Sequence, residues 1–283
     1  APGCVIPTTG KKLKVTKIRG VESNGMLCSE HELGLSNNHD GIIKIPKEAP
    51  LGKEYASYIG LDDPIFDISI TPNRADCLGI SGIARDLSAA GLGTFTQPKF
   101  KPIKGMFKSP ITVKREIAVE DERLCPLFLG QYIRGVTNNP SPKWMQDRLL
   151  SAGLRPISAL VDITNFITMD QNRPAHVFDA DKIQGDKLWI RSSNHGSTFS
   201  ALNGQDYVLG DKMTVIGDKT GILSLAGIIG GETSSCTEET KNVFVEVALF
   251  DPVATASTGR KLNIETDARY RFERGIDPDF DSL

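Results

Sequence analysis

The stretch "TFTQPKFKPIKGMFKSP" (Thr94 to Pro110) limits what this chain can fold into more than any other. Its prolines at 98, 102 and 110 fix φ and withhold backbone donors, which neither a helix interior nor a central strand tolerates. No helical or strand period runs through it, so it reads as a linker. With 283 residues on offer and domains of roughly 100–200 residues, a break there implies a multidomain chain.

Residues 1–62 read as short strands and turns. "KKLKVTKIRGV" (Lys11 to Val21) alternates Leu13 and Val15 with lysines, the pattern of a half-exposed strand, and carries five positive charges and no acid from Lys11 to Arg19. "HDGIIKIP" (His39 to Pro46) is a second apolar run closed by proline. Short strands with Gly/Pro turns suggest a partial β-barrel. The basic strand could track phosphates or simply present a solvated lysine face. Residues 63–110 read as a strand, a turn and a helix followed by the linker. Cys77, Ile80, Ile83, Ala84 and Leu87 recur at helical spacing, with Asp76 a candidate cap and Gly91 a stop.

From Ile111 onward the pattern is mixed α/β. "PLFLGQYIRGV" predicts a strand. "SPKWMQDRLLSAGL" predicts a helix, with Ser141 as cap and Pro142 in its first turn. "ISALVDITNFITMD" is an apolar segment interrupted by Asp162 and Asn165, and strands are expected at "KLWIRSS", "MTVIGD" and "NVFVEVALF". The fold class expected is α+β, in three parts: 1–62, 63–110 and 111–283.

The bulk numbers mainly exclude. Apolar residues make up 39% and charged residues 24%, the profile of a soluble globular chain, and no apolar run approaches the roughly 20 residues of a membrane span. A net charge of −2 gives no global signal for nucleic acid, so such contacts must come from local patches. The five cysteines are scattered and form no C-x-x-C pair, which points to reduced thiols in the cytoplasm and to no structural zinc or disulfide framework. Walker A, H-E-x-x-H, G-x-S-x-G and G-x-G-x-x-G motifs are all absent. No residue set reads as a metal site.

A few residues carry candidate chemistry. His176 in "NRPAHVFDADKI" is one of four histidines and is either catalytic or a half-buried imidazole at a turn. Glu246 interrupts the apolar "NVFVEVALF". Strand alternation puts Phe244, Glu246 and Ala248 on one face and Val243, Val245, Val247 and Leu249 on the other. The all-aliphatic face is the better core face, so Glu246 faces solvent or a pocket. Glycines 227, 230 and 231 in "LAGIIGGE" allow a close backbone approach or a tight turn. The polar run "IETDARYRFERGIDP" is either a helix face or a phosphate-facing cluster.

Taken in order, "KLKVTKIRGVESNGMLCSEHELGLS", "GIIKIP", "ITPNRADCLGISGIARDL", "LVDITNFI", "NRPAHVFDADKI", "GIIGGE" and "IETDARYRFERGIDP" resemble the bacterial phenylalanyl-tRNA synthetase β subunit over essentially the whole chain. The resemblance implies an internal segment: part of an OB-like tRNA-binding barrel, a connector, and an α/β editing domain that hydrolyses Tyr-tRNA(Phe) made in error. The start of the barrel would precede Ala1, and later domains, with much of the α-subunit interface and a magnesium site, would follow Leu283. It further implies a holoenzyme that joins phenylalanine to tRNA(Phe) with ATP and Mg2+, an α subunit partner in an α2β2 assembly, and a cytoplasmic location. No cofactor, metal or membrane contact is expected of this segment itself.

The resemblance carries the editing pocket onto Arg155, Asn165, Pro174, His176, Gly230, Glu246, Thr266 and Ala268. It assigns His176, Asn165 and Thr266 to the ester or the terminal adenosine, Glu246 with the Gly230 backbone to the tyrosine hydroxyl, and Ala268 to keeping the pocket open. The alternative is a non-catalytic scaffold that binds tRNA or the α subunit.

Overall fold

The computed structural model describes all residues except 98, 100, 102 and 280–283. The chain divides into two compact units, Ala1–Phe66 and Asp67–Leu283.

In the first unit, β1 (Thr16–Ile18) and β2 (Val21–Ser23) form an antiparallel hairpin. Its two-residue turn puts Arg19 and Gly20 at φ of 52° and 83°, the paired left-handed geometry that matches strand twist. An isolated bridge joins Val5 to Lys12, and α1 (Tyr55–Tyr58) is a single turn. Of the partial barrel expected over 1–62, the described residues form this hairpin and bridge, and no closed barrel. Val15, Ile18 and Val21 stay exposed, so the hairpin has no second layer to bury its apolar side chains against.

The strand expected near Ile65 does not form, and the second unit reaches α2 (Ile80–Ala89) through a 3-10 turn at Ala75–Cys77. Asp76 does not cap this helix; it pairs with Arg74 and Arg85 instead. Next come β3 (Thr112–Arg115), β4 (Leu127–Arg134), α3 (Lys143–Ser151), α4 (Ala159–Gln171) and β5 (Ala175–Asp179). After β6 (Lys187–Ser192), a hairpin of β7 (Thr198–Ser200) and β8 (Asp206–Val208) leads to β9 (Thr214–Gly217). β10 (Ile222–Leu225), β11 (Ile229–Gly230), β12 (Asn242–Leu249), α5 (Pro252–Leu262) and α6 (Asp267–Phe272) complete the unit. The α+β, multidomain class expected from sequence is what the structure has. Within the expected linker, residues 98, 100 and 102 lie outside the described residues, while Phe107 packs on β4 between Tyr132 and Arg134.

Two sheets position the core. Five strands run in the order β11-β10-β9-β6-β3, antiparallel except for the β3–β6 pair, and β12 lies between β4 and β5 in an antiparallel three-stranded sheet. Phe178, Phe244 and Ala248 from the smaller sheet join Leu188, Ile190, Ile216 and Leu223 from the larger one in a single buried cluster. Burying each such phenylalanine contributes about 1.5–3 kcal/mol. The opposite face of the larger sheet, with Trp189, Val215 and Leu225, packs under Phe199 and Ile264. A register shift in β10 lets Leu223 and Leu225, two residues apart, serve different clusters.

Asp162, which interrupts the apolar α4 sequence, is buried, accepting from the Ser141 hydroxyl and, at 2.8 Å, from Ile157 N. Ser141 is thereby diverted from the helix-capping role expected of it; Pro142 occupies the N-cap of α3 with no side-chain bond.

Candidate functional site

The Glu246 face of β12 is the core face, the reverse of what the aliphatic pattern suggested. Phe244 and Ala248 are each 1% exposed, whereas on the other face only Val243 is buried and Val245, Val247 and Leu249 are half-buried. The reason is that the three-stranded sheet meets the five-stranded one across the Phe244 face, whose aromatic ring outweighs the neighbouring valines. Glu246 is therefore a carboxyl built into an interior surface, 5% exposed.

On β5, His176 is the direct cross-strand partner of Glu246, so the two side chains leave the sheet on the same side. Phe178 and Phe244 form the next such pair inward, and the His176 ring stands edge-on to Phe178, with centroids 4.4 Å apart. On the other side of β12, Glu246 faces Gly130 of β4. A Cβ on Gly130 would lie 2.2 Å from the Phe244 ring, so glycine is what lets that ring lie beside Glu246.

His176 and Glu246 line a cavity of about 90 Å³ together with Pro174, Gly230 and Ala268. The rest of its wall includes Ser224, Phe250 and Phe272, which sequence reasoning did not pick out. Gly227, also in the wall, sits at φ 69° with Phe250 and Phe272 about 3 Å from where a Cβ would be. Gly230 is tighter still: its Cβ would lie 2.4 Å from His176 Cε1. Both readings of the glycine-rich segment, a tight turn and a close approach, thus hold at different glycines.

The Glu246 Oε2 atom is buried and has no hydrogen-bond partner among the described residues. Burial pushes the Glu246 carboxyl up to about 8 and the His176 imidazole down to about 4. Near neutral pH the cavity therefore holds a protonated carboxyl, able to donate and accept, beside a neutral imidazole. An unpartnered buried polar group costs about 1–3 kcal/mol, so the site favours a ligand bearing a hydroxyl or N–H at that point.

Three of the expected residues do not line the cavity. Thr266 caps α6: its hydroxyl accepts from Arg269 N at 3.1 Å and donates to Ile228 O at 2.7 Å, tying the helix to the cavity wall. Asn165 lies half-buried on α4, and Arg155 is exposed in the loop before it. No group of three or more His, Cys, Asp or Glu side chains could hold a metal ion among the described residues, and none of their helices is long and apolar enough to cross a membrane.

The interior carboxyl and imidazole lie in a segment that sequence comparison places in a known family. The model of the B3/4 domain family matches residues 124–281, more than half of the chain, and this chain belongs to that family. A second family, described as "Putative tRNA binding domain", matches residues 3–54. The phenylalanine–tRNA ligase β subunit of Rhodopseudomonas palustris is 54% identical over 279 residues, covering 99% of this chain and 34% of that protein. Its counterpart in Paramagnetospirillum magneticum is 55% identical over 99% of the chain and 35% of its own length. The chain thus spans about a third of the length of the curated relatives it matches. Among solved structures, an N-terminal fragment of the phenylalanyl-tRNA synthetase β subunit from Pyrococcus horikoshii is 19% identical, covering 70% of this chain and 64% of that one at a TM-score of 0.37.

Proposed function

We propose that the Glu246–His176 cavity is the editing site of a phenylalanine–tRNA ligase β subunit, hydrolysing Tyr-tRNA(Phe). The observation that carries this reading is the Glu246 carboxyl, buried in a small cavity with its Oε2 unpartnered among the described residues. A tyrosine hydroxyl supplies the missing hydrogen bond, and phenylalanine leaves it unmade. An apolar synthetic pocket rejects one extra hydroxyl only about a hundredfold, whereas a site that hydrogen-bonds the hydroxyl discriminates far more strongly. The error is selected by the very group that passed the first site.

For the hydrolytic step, an aminoacyl ester is reactive enough that holding a water and stabilising the developing oxyanion suffice. His176, neutral at physiological pH, can accept a proton from that water or donate to the oxyanion. Pro174, Gly230 and Ala268 shape the walls around the side chain. Arg155, Asn165 and Thr266 are assigned to the tRNA end outside the cavity. The cavity of about 90 Å³ is smaller than the ~150 Å³ that takes a benzene ring, so the phenol enters from the open side and shifts its lining slightly.

In the full-length protein this segment would act beside an α subunit in an α2β2 assembly, in the cytoplasm, where ATP and Mg2+ serve the attachment of phenylalanine to tRNA(Phe). The residues 3–54 that match the tRNA-binding family, with five positive charges from Lys11 to Arg19, give the segment a place to meet RNA phosphates.

The test is deacylation of Tyr-tRNA(Phe) and Phe-tRNA(Phe) by the chain and by its Glu246→Ala variant. The parent should prefer Tyr-tRNA(Phe), and the variant should lose that preference. A preference that survives Glu246→Ala contradicts the assignment.

A further inference from the structure

A second cavity, of about 470 Å³, lies elsewhere in the unit that contains Glu246, and the proposed editing reaction makes no use of it. Three motifs far apart in sequence converge there: Asp76 and Arg85 from "ITPNRADCLGISGIARDL", Asn172 and Arg173 from "NRPAHVFDADKI", and Asp277 from "ERGIDP". Phe95 forms another part of the wall.

Asn172 is the best-built element. It ends α4 in the left-handed conformation at φ 55° and is 8% exposed. Its Nδ2 donates to Ala75 O at 2.8 Å, which fixes which way the amide points, and its Oδ1 is buried with no partner among the described residues. Gly79 packs so closely on the Asn172 backbone that a Cβ there would lie 2.5 Å from Asn172 N. Gly82 is held as tightly, with Asp76 O 1.7 Å from its hypothetical Cβ. The amide is therefore oriented by its own donor bond to Ala75 O before anything binds.

Around it stand groups of complementary chemistry. The Phe95 ring is half-buried, and its backbone N–H donates to Ser88 Oγ at 3.1 Å, which holds the segment against α2. Arg85 gives one nitrogen to Asp76 at 2.6 Å, while its side chain stays 56% exposed. An acceptor, an aromatic face and a guanidinium match the three parts of a nucleotide: a base-edge N–H, a π surface and a phosphate. One water would satisfy Asn172 alone but occupies only about 30 Å³, and the cavity falls in the range of about 300–1,000 Å³ typical of ligand sites.

We propose that this cavity takes one unstacked nucleotide of bound RNA, its base donating to Asn172 Oδ1, its ring against Phe95 and its phosphate at Arg85. The proposal deepens the reading that this chain acts on tRNA and rests on it for the choice of RNA.

The experiment titrates the whole chain with adenosine 5′-monophosphate and with purine riboside 5′-monophosphate, which lacks the exocyclic amine, by calorimetry and by NMR of the Asn172 side-chain amide. Saturable binding of the adenosine probe is expected, weaker by about tenfold without the amine and by a similar factor in Arg85→Ala and in Phe95→Ala. Glu246→Ala should bind it unchanged, and so should His176→Ala, whose imidazole the editing reading puts by the ester or terminal adenosine, which separates this cavity from the editing site. Arg85 is exposed, so its variant tests the idea even if Phe95→Ala folds poorly. Absence of saturable binding, equal affinity for the two probes, or affinity that survives Arg85→Ala overturns the proposal. Tyr-tRNA(Phe) hydrolysis in the same preparations reports separately on the editing reading, which can stand when this one falls.

Discussion

Glu246 and His176 face each other directly across β12 and β5, and burial drives their pKa values in opposite directions, to about 8 and about 4. In water the two would both be charged between pH 4.5 and 6.5, whereas here both are neutral from about pH 4 to about pH 8. The carboxyl holds the proton and the imidazole holds a free lone pair, an acid and a base kept in contact with one small cavity.

That arrangement fixes the sign of a pH effect on stability. A glutamate raised from 4.5 to about 8 keeps its proton in the folded state while the unfolded chain loses it, so stability falls as pH rises between those values and levels off above them. Glu246→Gln, neutral at every pH, removes this loss and should become progressively more stable than the parent across that window, by up to a few kcal/mol. His176 acts oppositely: lowered from 6.5 to about 4, it costs stability as pH falls through that interval. Urea midpoints at pH 5 and 8.5 check this. If parent and Glu246→Gln give parallel pH profiles, Glu246 is not the buried acid described.

Gly230 holds His176 in place by having no side chain. In Gly230→Ala the new methyl would meet the imidazole at 2.4 Å and Leu202 at 3.0 Å, so the ring must rotate away from the cavity. Overpacking of this kind costs about 1–3 kcal/mol. The fold should survive, with Tyr-tRNA(Phe) hydrolysis reduced at least about tenfold if the imidazole acts in the reaction as proposed. Hydrolysis at the parental rate would show that the ring position does not matter.

How much of this was legible in the sequence depended on whether the deciding force was local. The strands β4, β6, β9 and β12 and the helices α2 and α3 stand where the apolar patterns put them, because those patterns encode burial along each element. The burial of Glu246 was not legible in this way. Both faces of "NVFVEVALF" are apolar, and only packing against the five-stranded sheet, a partner distant in sequence, selects the Phe244 face. Ser141 and Asp76 fail as caps because other side chains compete for them: Asp162, 21 residues away, for Ser141, and the nearby guanidiniums of Arg74 and Arg85 for Asp76. The cavity at Asn172 joins segments about 100 residues apart, and no periodicity could have brought them together.

Ala268 sets the room available in the Glu246 cavity. Replacing it with leucine puts an isobutyl group where about 90 Å³ is open, and the residue is only half-buried on α6, so the helix can accommodate the change. Ala268→Leu should melt within a few degrees of the parent yet lose most Tyr-tRNA(Phe) hydrolysis by excluding the side chain. Thermal unfolding and deacylation on the same preparation check both parts. Full hydrolysis by a folded Ala268→Leu protein would move the substrate to another surface.

Asp162 separates structure from chemistry among the buried acids. Unlike Glu246 it has partners: the Ser141 hydroxyl and Ile157 N–H, both on segments that lead into α3 and α4. Asp162→Ala strands both donors in the interior, at about 1–3 kcal/mol each. Asp162→Asn keeps an oxygen for Ile157 N and turns its amide toward Ser141 Oγ, which can reverse its role and accept. The alanine variant should therefore lose about 2–5 kcal/mol and the asparagine variant distinctly less, read from denaturant unfolding. Hydrolysis per folded molecule should stay at the parental level in Asp162→Asn, since Asp162 does not line the Glu246 cavity. Equal losses of stability in the two variants would mean that the carboxylate charge, rather than its two hydrogen bonds, holds the start of α4.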